Sequence, residues 1–482
     1  MHKLAAIGDS LTMGFSSGAI YKTQYSYPAM IARALGTDES FRRPVFDIDH
    51  GTTGGFPLNL EMLLNNLEDH YPKGLNLFRF IRSLFTVNSF LDKVETFWER
   101  GDWIPEDADP YHNLAVLSHT VQDANRLTNE ICAACTLNPE DQHVLFNQIP
   151  DHPMYRATLG TLATKQPSTT TMTRLEQLSQ TGGIENLIIE LGANNCLGAV
   201  ISLEIVLSEE GDLYRQPHER KCTLWLPGHF DRCLRAVVEQ IRMMQVKNVF
   251  LATVPHVTIP PVTRGTPRQH TGKYYEYYTR PWIWDDSFDP SLHPFLRRTD
   301  VMMIDEFVDS YNESIRTVAL ENGWHVVDFC GLLDRLAFRR QHGAVTYQWP
   351  EPAVTALATN PRTFSAVENG SVSLDTRYMK LSKTGDRIQQ GGLFSLDGVH
   401  PTTVMYGLIA EEFLLQMRAC GVTAVSGASP ALDWPWIVAS DSLVTRPPKM
   451  LSDLRGVLSF MSGKLFGKVL FKVLESFKTS VN

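Results

Sequence analysis

The stretch Leu4-Ala5-Ala6-Ile7-Gly8-Asp9-Ser10-Leu11 begins with an apolar run and leads directly to a serine. A short apolar run of this kind is typical of a buried β-strand. Comparable runs without clean alternation lie at 186–191, 246–254 and 325–329. Strands of this type suit a parallel sheet that is covered on both faces. We therefore expect Ser10 at the carboxyl end of the first strand, where ligands bind in such sheets.

Helical patterns lie between these runs and complete an α/β alternation. The clearest are at Ser26–Leu35, Phe230–Met244, Asp300–Asn322 and Thr402–Cys420. Long segments at about 38–109, 256–299 and 337–392 interrupt the alternation, and we interpret them as insertions that cover the site. Their alternative is a satellite layer that only packs. The expected domain spans 1–430, followed by a C-terminal extension over 431–482.

A second informative segment, Asp397-Gly398-Val399-His400-Pro401, lies far along the chain. A serine hydroxyl needs a base, and the base needs a group that fixes its tautomer. His400 is the candidate base, Asp397 the candidate orienting carboxylate and Ser10 the candidate nucleophile. Thr402 and Thr403 follow the turn, and we expect their hydroxyls to cap the next helix.

An oxyanion requires donors that are already in place. Gly192-Ala193-Asn194-Asn195 follows a predicted buried strand, so the Asn194 amide can point into the cleft. The N–H of Ser10 is a second candidate donor. A plain turn at the end of the strand is the alternative for the Gly192–Asn195 segment.

With these motifs in order, the chain resembles the SGNH (GDSL) hydrolase superfamily, in particular its large bacterial esterase- and lipase-like members. Gly8–Leu11 matches the first block of that family, Gly192–Gly198 the third and Asp397–Pro401 the fifth. Val254–Pro260 is similar to a further stretch of the larger members. The resemblance implies a flavodoxin-like three-layer α/β/α sandwich with a parallel central sheet. It also implies ester hydrolysis without a metal or cofactor.

The chain departs from the family pattern at two blocks. Asn195 stands where the third block usually ends in Asp, which affects the loop more than the chemistry. The second block, whose backbone N–H completes the oxyanion hole, has two candidates. Ser118 follows Asn113-Leu114-Ala115-Val116-Leu117 and is the preferred donor, while Gly54 is the alternative. The neighbouring His119 is interpreted as a structural histidine.

Composition restricts the partners. The net charge of −9 and pI near 5.9 argue against a nucleic-acid-binding protein. Seven scattered cysteines do not form a disulfide framework, and Cys132-Ala133-Ala134-Cys135 is expected to pack a helix rather than hold a metal. No leader precedes Gly8, so a cytoplasmic protein is expected, with peripheral membrane binding or leaderless export as alternatives.

The last thirty or so residues combine basic and apolar residues at helical spacing. This pattern predicts a basic amphipathic helix, which docks on protein or contacts an anionic membrane surface. Its basic residues are Arg455, Lys464, Lys468, Lys472 and Lys478.

Taken together, the motifs predict a serine ester hydrolase, a carboxylesterase or lipase acting on small or lipid-like acyl esters through an acyl-enzyme. The aromatic 274–288 segment also suits a carbohydrate O-deacetylase, and an acyltransferase of the same fold is a further alternative. A non-catalytic protein of the membrane surface, or one that binds partners, is the alternative of another class.

Overall fold

The computed structural model describes residues 1–46, 48, 53–72, 77–101, 103–105, 107–136, 152–266, 270–283, 285, 288–382, 385 and 387–451. Its centre is a four-stranded parallel sheet in the order β1-β5-β6-β12. These strands are β1 Ala5–Gly8, β5 Ile184–Glu190, β6 Val246–Ala252 and β12 His325–Val327. All four were expected from their apolar runs, and the mixed α/β class is confirmed.

Successive residues of the sheet face two different apolar cores, as the period of two along a strand requires. Ile7, Ile189 and Leu251 face one core, and Ala6 and Ile188 face the other. Both faces of the sheet are therefore buried, which explains why the strands lack polar alternation.

The helices on the two sides carry the apolar stripes that cover these cores. On the first side, the helix Pro227–Arg242 (α10) contributes Leu234 and the helix Arg298–Asn322 (α11) contributes Ile315. On the second side, α2 and α14 pack together, with the rings of Tyr27 and Phe413 stacked 4.9 Å apart. The helices in chain order are α1 Ser10–Met13, α2 Tyr27–Ala34, α3 Leu60–His70, α4 Leu77–Glu99, α5 Asp123–Arg126, α6 Asn129–Thr136, α7 Pro153–Leu162, α8 Thr171–Gln180, α9 Asn194–Ser202, α10 Pro227–Arg242, α11 Arg298–Asn322, α12 Phe329–Leu336, α13 Glu351–Thr359, α14 Thr403–Ala419, α15 Trp434–Ser440 and α16 Ser442–Thr445.

The three predicted insertions contain short strands and additional helices. The 337–392 segment, which lacked a clear pattern, forms α13 and two hairpins, because strands of two or three residues are too short to show periodicity. The short strands are β2 Phe15–Ser16, β3 Ala19–Ile20, β4 Phe56–Pro57, β7 Arg264–Gly265, β8 His270–Thr271, β9 Tyr274–Tyr275, β10 Tyr277–Thr279, β11 Leu296–Arg297, β13 Val367–Glu368, β14 Ser371–Val372, β15 Lys380–Leu381 and β16 Ile388–Gln390.

The start of α14 differs from the prediction. Thr402 occupies the N-cap position without a side-chain cap bond, and its hydroxyl instead donates to the Gly392 carbonyl at 2.9 Å. The capping acceptor is Asp441, whose Oδ2 accepts the Val404 N–H at 2.7 Å. Hydroxyl capping by Thr402 was therefore wrong, because a carboxylate from a distant segment takes that place.

Part of the predicted C-terminal extension joins the second core. Trp434 and Ile437 are buried there, and an added Cβ on Gly407 of α14 would lie 2.9 Å from the Trp434 ring. The predicted basic amphipathic helix lies beyond Leu451, outside the described residues. Among the described residues, the helices include none with the length and apolar character needed to cross a bilayer.

Candidate active site

Ser10 begins α1, and Asp9 is the single residue between the end of β1 and this helix. Asp9 is the N-cap, and its Oδ1 accepts the Leu11 N–H at 2.9 Å. The turn is tight: a Cβ on Gly8 would lie 2.7 Å from the Glu190 carbonyl oxygen. As the first helical residue, Ser10 has a backbone N–H without an intrahelical acceptor.

The structure brings Ser10, His400 and Asp397 into one hydrogen-bonded chain. Ser10 Oγ lies 2.9 Å from His400 Nε2, and His400 Nδ1 lies 3.1 Å from Asp397 Oδ2. All three residues are buried. Because a carboxylate can only accept, it holds the imidazole proton on Nδ1 and leaves Nε2 free to accept from the serine. The two segments predicted from the sequence therefore lie together, and their hydrogen bonds run in the direction that a general base requires.

Asp397 is held by the turn that it begins. Its Oδ1 accepts the N–H groups of Val399 and His400, both at 2.8 Å, and its Oδ2 accepts the Gly18 N–H at 2.9 Å. Burial alone would raise the pKa of Asp397, but the His400 ring and the two N–H groups on Oδ1 lower it below its ordinary value. The carboxylate therefore stays ionised beside the imidazole. The His400 ring also lies against the Phe15 ring, with the two ring centroids 4.4 Å apart and the planes tilted by 49°.

Asn194 lies between the serine loop and the loop that contains Ser118. Its Nδ2 donates to Asp9 Oδ2 at 3.1 Å and to the His119 carbonyl at 3.0 Å. Both amide protons are thus used within the protein. An oxyanion would therefore gain an Asn194 donor only by replacing or sharing one of these acceptors.

Ser118 follows a segment that runs parallel to β1. The Val116 N–H donates to the Gly8 carbonyl at 3.0 Å, and Asn113 forms a parallel bridge with Ala6. Ser118 itself has φ 63°, the left-handed region that glycine favours. Ser118 therefore has a backbone conformation that favours glycine, and it follows the segment that pairs with β1.

The alternative donor, Gly54, precedes β4 and also has a positive φ, of 71°. Its carbonyl accepts from the Asn59 side chain at 2.8 Å, and β4 pairs with β3 beside Gly18. Gly54 therefore lies just before a strand of the small sheet next to Gly18, whereas the Ser118 segment lies directly against β1.

Asn195 supports the loop after β5 through its side chain and its backbone, which agrees with the supporting role expected for this position. Its Oδ1 accepts the Val121 N–H at 3.2 Å, and its carbonyl accepts the Trp225 N–H at 2.8 Å. Within the described part of the chain, its buried Nδ2 has no hydrogen-bond partner. His119 is buried as well, with Nε2 3.1 Å from Thr158 Oγ1, and burial lowers its pKa to about 4.

The three insertions contact the elements that hold the acid and the base. Val262 of the second insertion donates to the Gly398 carbonyl at 2.8 Å, and Tyr378 of the third donates to the Leu396 carbonyl at 2.7 Å. The first insertion contributes β4, which pairs with β3 next to Gly18. Each insertion therefore contributes to the surroundings of the Asp397–His400 turn.

Asp9 and Glu190 form a pair of buried carboxyls next to Ser10 that the sequence analysis did not predict. Burial, as the larger cause, and the neighbouring Glu190 carboxyl, as the second, raise the pKa of Asp9 well above its usual range. Burial also raises the pKa of Glu190 to about 7. Thr12 Oγ1 lies 2.9 Å from Glu190 Oε2 and 2.7 Å from the Tyr27 hydroxyl. Two carboxyls in such surroundings share a proton rather than both ionising.

Of the described residues, one group has side chains that could together hold a metal: His256, Cys330 and Asp334. It lies away from the serine site, at the ends of β6 and β12. Cys132 of the C-x-x-C segment is instead buried in a small apolar cluster on α6, with Leu127 and Met154.

A scan of the chain against models of known protein families found no match, and a search of curated proteins found no significant relative.

Proposed function

We propose that the protein is a serine ester hydrolase of the SGNH (GDSL) type, with a flavodoxin-like three-layer α/β/α fold. The observation that carries the proposal is the hydrogen-bonded chain from Ser10 Oγ through His400 to Asp397. A buried serine whose hydroxyl faces an imidazole, itself oriented by an ionised carboxylate, has the arrangement of an activated nucleophile.

In the first half-reaction, Ser10 Oγ attacks the acyl carbonyl carbon while His400 Nε2 takes the hydroxyl proton. Asp397 stabilises the resulting imidazolium. The C–O bond to the alcohol then breaks, and His400 returns the proton to the leaving oxygen. The products of this step are an acyl-Ser10 ester and a free alcohol.

Water completes the cycle by attacking the acyl-enzyme, with His400 again as base, and the carboxylic acid leaves as Ser10 is restored. The tetrahedral oxyanion is assigned to the N–H groups of Ser10 and Ser118 and to the Asn194 amide. The contact of Val116 with Gly8 favours Ser118 over Gly54, because it holds the Ser118 segment beside β1.

Substrate class follows from hydrolysis rates across a series of p-nitrophenyl esters of increasing acyl length. We expect activity to extend beyond acetate, as for a carboxylesterase or lipase. A sharp preference for acetyl would favour the carbohydrate O-deacetylase alternative. Ester products formed with added alcohols would indicate acyl transfer.

The central experiment is Ser10→Ala, assayed on p-nitrophenyl acetate and with a fluorophosphonate probe. Hydrolysis and labelling should both fall to background, because the nucleophilic oxygen is gone, while circular dichroism stays that of the wild type. Ser26→Ala is the matched control, since Ser26 is equally buried but donates to the Thr23 carbonyl. Retained hydrolysis in Ser10→Ala, or a folded wild type that ignores the probe, would contradict the proposal.

A further inference from the structure

A second polar cluster lies at the carboxyl ends of β6 and β12, two neighbouring strands of the central sheet. His256 follows β6, while Cys330 and Asp334 lie on α12, which begins directly after β12. Cys330 and Asp334 are four residues apart, so they share one face of that helix. Their sulfur and carboxylate atoms and a His256 ring nitrogen all lie within 4.8 Å of one another.

The distances match those of ligands around a tetrahedral ion. Cys330 Sγ lies 3.5 Å from His256 Nδ1, and the two Asp334 carboxylate oxygens lie 3.0 and 3.1 Å from the same nitrogen. Zinc bonds of about 2.3 Å to sulfur and about 2.0–2.1 Å to nitrogen or oxygen separate tetrahedral ligands by roughly 3.3–3.6 Å. The distances to His256 Nδ1 are within a few tenths of an ångström of these values, and the sulfur and carboxylate atoms lie within 4.8 Å of each other.

The surroundings hold each ligand in place. His256 Nε2 lies 3.2 Å from Asp309 Oδ1, so that carboxylate can accept a hydrogen bond from Nε2–H, which keeps the proton on Nε2 and leaves the Nδ1 lone pair for the ion. Arg340 donates to Asp334 Oδ1 at 3.3 Å, which leaves Oδ2 for the ion. The Cys330 N–H donates to Thr253 Oγ1 at 2.9 Å. A carboxylate behind the ligating histidine is the arrangement that orients metal-binding imidazoles.

We propose that His256 Nδ1, Cys330 Sγ and Asp334 Oδ2 form a Zn²⁺ site that links the loop after β6 to α12, with solvent at the fourth position. A thiolate and a carboxylate together balance the charge of the divalent ion. The sulfur and imidazole donors favour zinc over Mg²⁺ or Ca²⁺, which take oxygen ligands. The site is independent of the proposed ester hydrolysis, since none of its ligands belongs to the Ser10–His400–Asp397 chain.

The test uses the full chain after chelator treatment, equilibrated with Zn²⁺ at micromolar concentration and analysed for metal by mass spectrometry. We expect one zinc per chain in the wild type. Cys330→Ser and His256→Gln should each weaken binding at least tenfold, and Asp309→Asn about 10–100-fold. Cys420→Ser is the matched control and should bind as the wild type, since Cys420 Sγ faces a different histidine, His325, at 3.1 Å.

Cobalt reports the thiolate ligand directly in the wild-type protein. Co²⁺ added to the wild type should produce a near-ultraviolet band from thiolate-to-cobalt charge transfer, absent in Cys330→Ser. A wild type that remains metal-free, or binds Co²⁺ without that band, would overturn the proposal. So would a folded Cys330→Ser that holds zinc as tightly as the wild type.

Discussion

Replacing Asp397 with Asn tests how the acid supports the base. The carboxylate accepts from Val399 and His400 N–H on one oxygen, and from Gly18 N–H and the His400 ring on the other. An amide can accept at only one of these two positions. If its NH₂ replaced Oδ1, two backbone donors would be left without acceptors, so we expect it to replace Oδ2.

In that orientation the NH₂ faces the Gly18 N–H and the His400 ring. The Gly18 donor is left unsatisfied, at a cost of about 1–3 kcal/mol in the free energy of unfolding. The ring can respond by accepting at Nδ1, which puts its proton on Nε2, where it can no longer accept from Ser10. Loss of the correct tautomer is expected to lower kcat on the order of 10⁴-fold.

The assay pairs kcat on p-nitrophenyl acetate with urea unfolding. Asp441→Asn is the matched control: its oxygens accept the Val404 and Val444 N–H groups, one each, so an amide again leaves one buried donor unsatisfied. Both variants should lose similar stability, but only Asp397→Asn should lose activity. A kcat for Asp397→Asn within tenfold of the wild type would refute the assignment of Asp397.

Two further changes probe the surroundings of Ser10. Asn194→Ala should lower kcat about 10²–10³-fold with little change in KM, because an oxyanion donor acts mainly in the transition state; unchanged kcat would remove Asn194 from the oxyanion hole. Burial raises the pKa of Glu190 to about 7, above the value of the unfolded chain. The contribution of Glu190 to stability is therefore complete below about pH 4.5 and is lost as the pH rises through 7. The free energy of unfolding of the wild type should thus fall over this range more steeply than that of Glu190→Gln, and equal slopes in urea titrations at several pH values would contradict the buried pair.

The sequence predicted the features that depend on local pattern. The four sheet strands were visible because burial on both faces requires continuous apolar runs. The helix predicted over Thr402–Cys420 also ends where expected, because Gly421, with φ 75°, suits the left-handed residue after a helix. The close approach of Ser10 to His400 was predicted because a serine nucleophile requires a base, here His400, and an orienting carboxylate, here Asp397.

The features that were missed depend on contacts between distant residues. Asp441 caps α14 although it lies 37 positions after Val404, and the sequence around Val404 does not indicate this contact. In the sequence, Glu190 is only the last residue of an apolar strand, and its proximity to Asp9 is visible only in the folded structure. His256 and Cys330 are 74 positions apart, so no short metal-binding spacing was there to find. Cysteine and aspartate one helical turn apart, Cys330 and Asp334, were the sequence signal that could have prompted a search.

The separation of Ser10 from His400 by 390 positions also has a consequence for biosynthesis. At about 5–20 residues per second, the ribosome adds the imidazole roughly 20–80 s after the hydroxyl. Under the proposed mechanism, the nascent chain therefore carries Ser10 without its base for most of its translation. A prematurely terminated product that lacks the Asp397–His400 turn would lack the proposed base, whatever part of it folded.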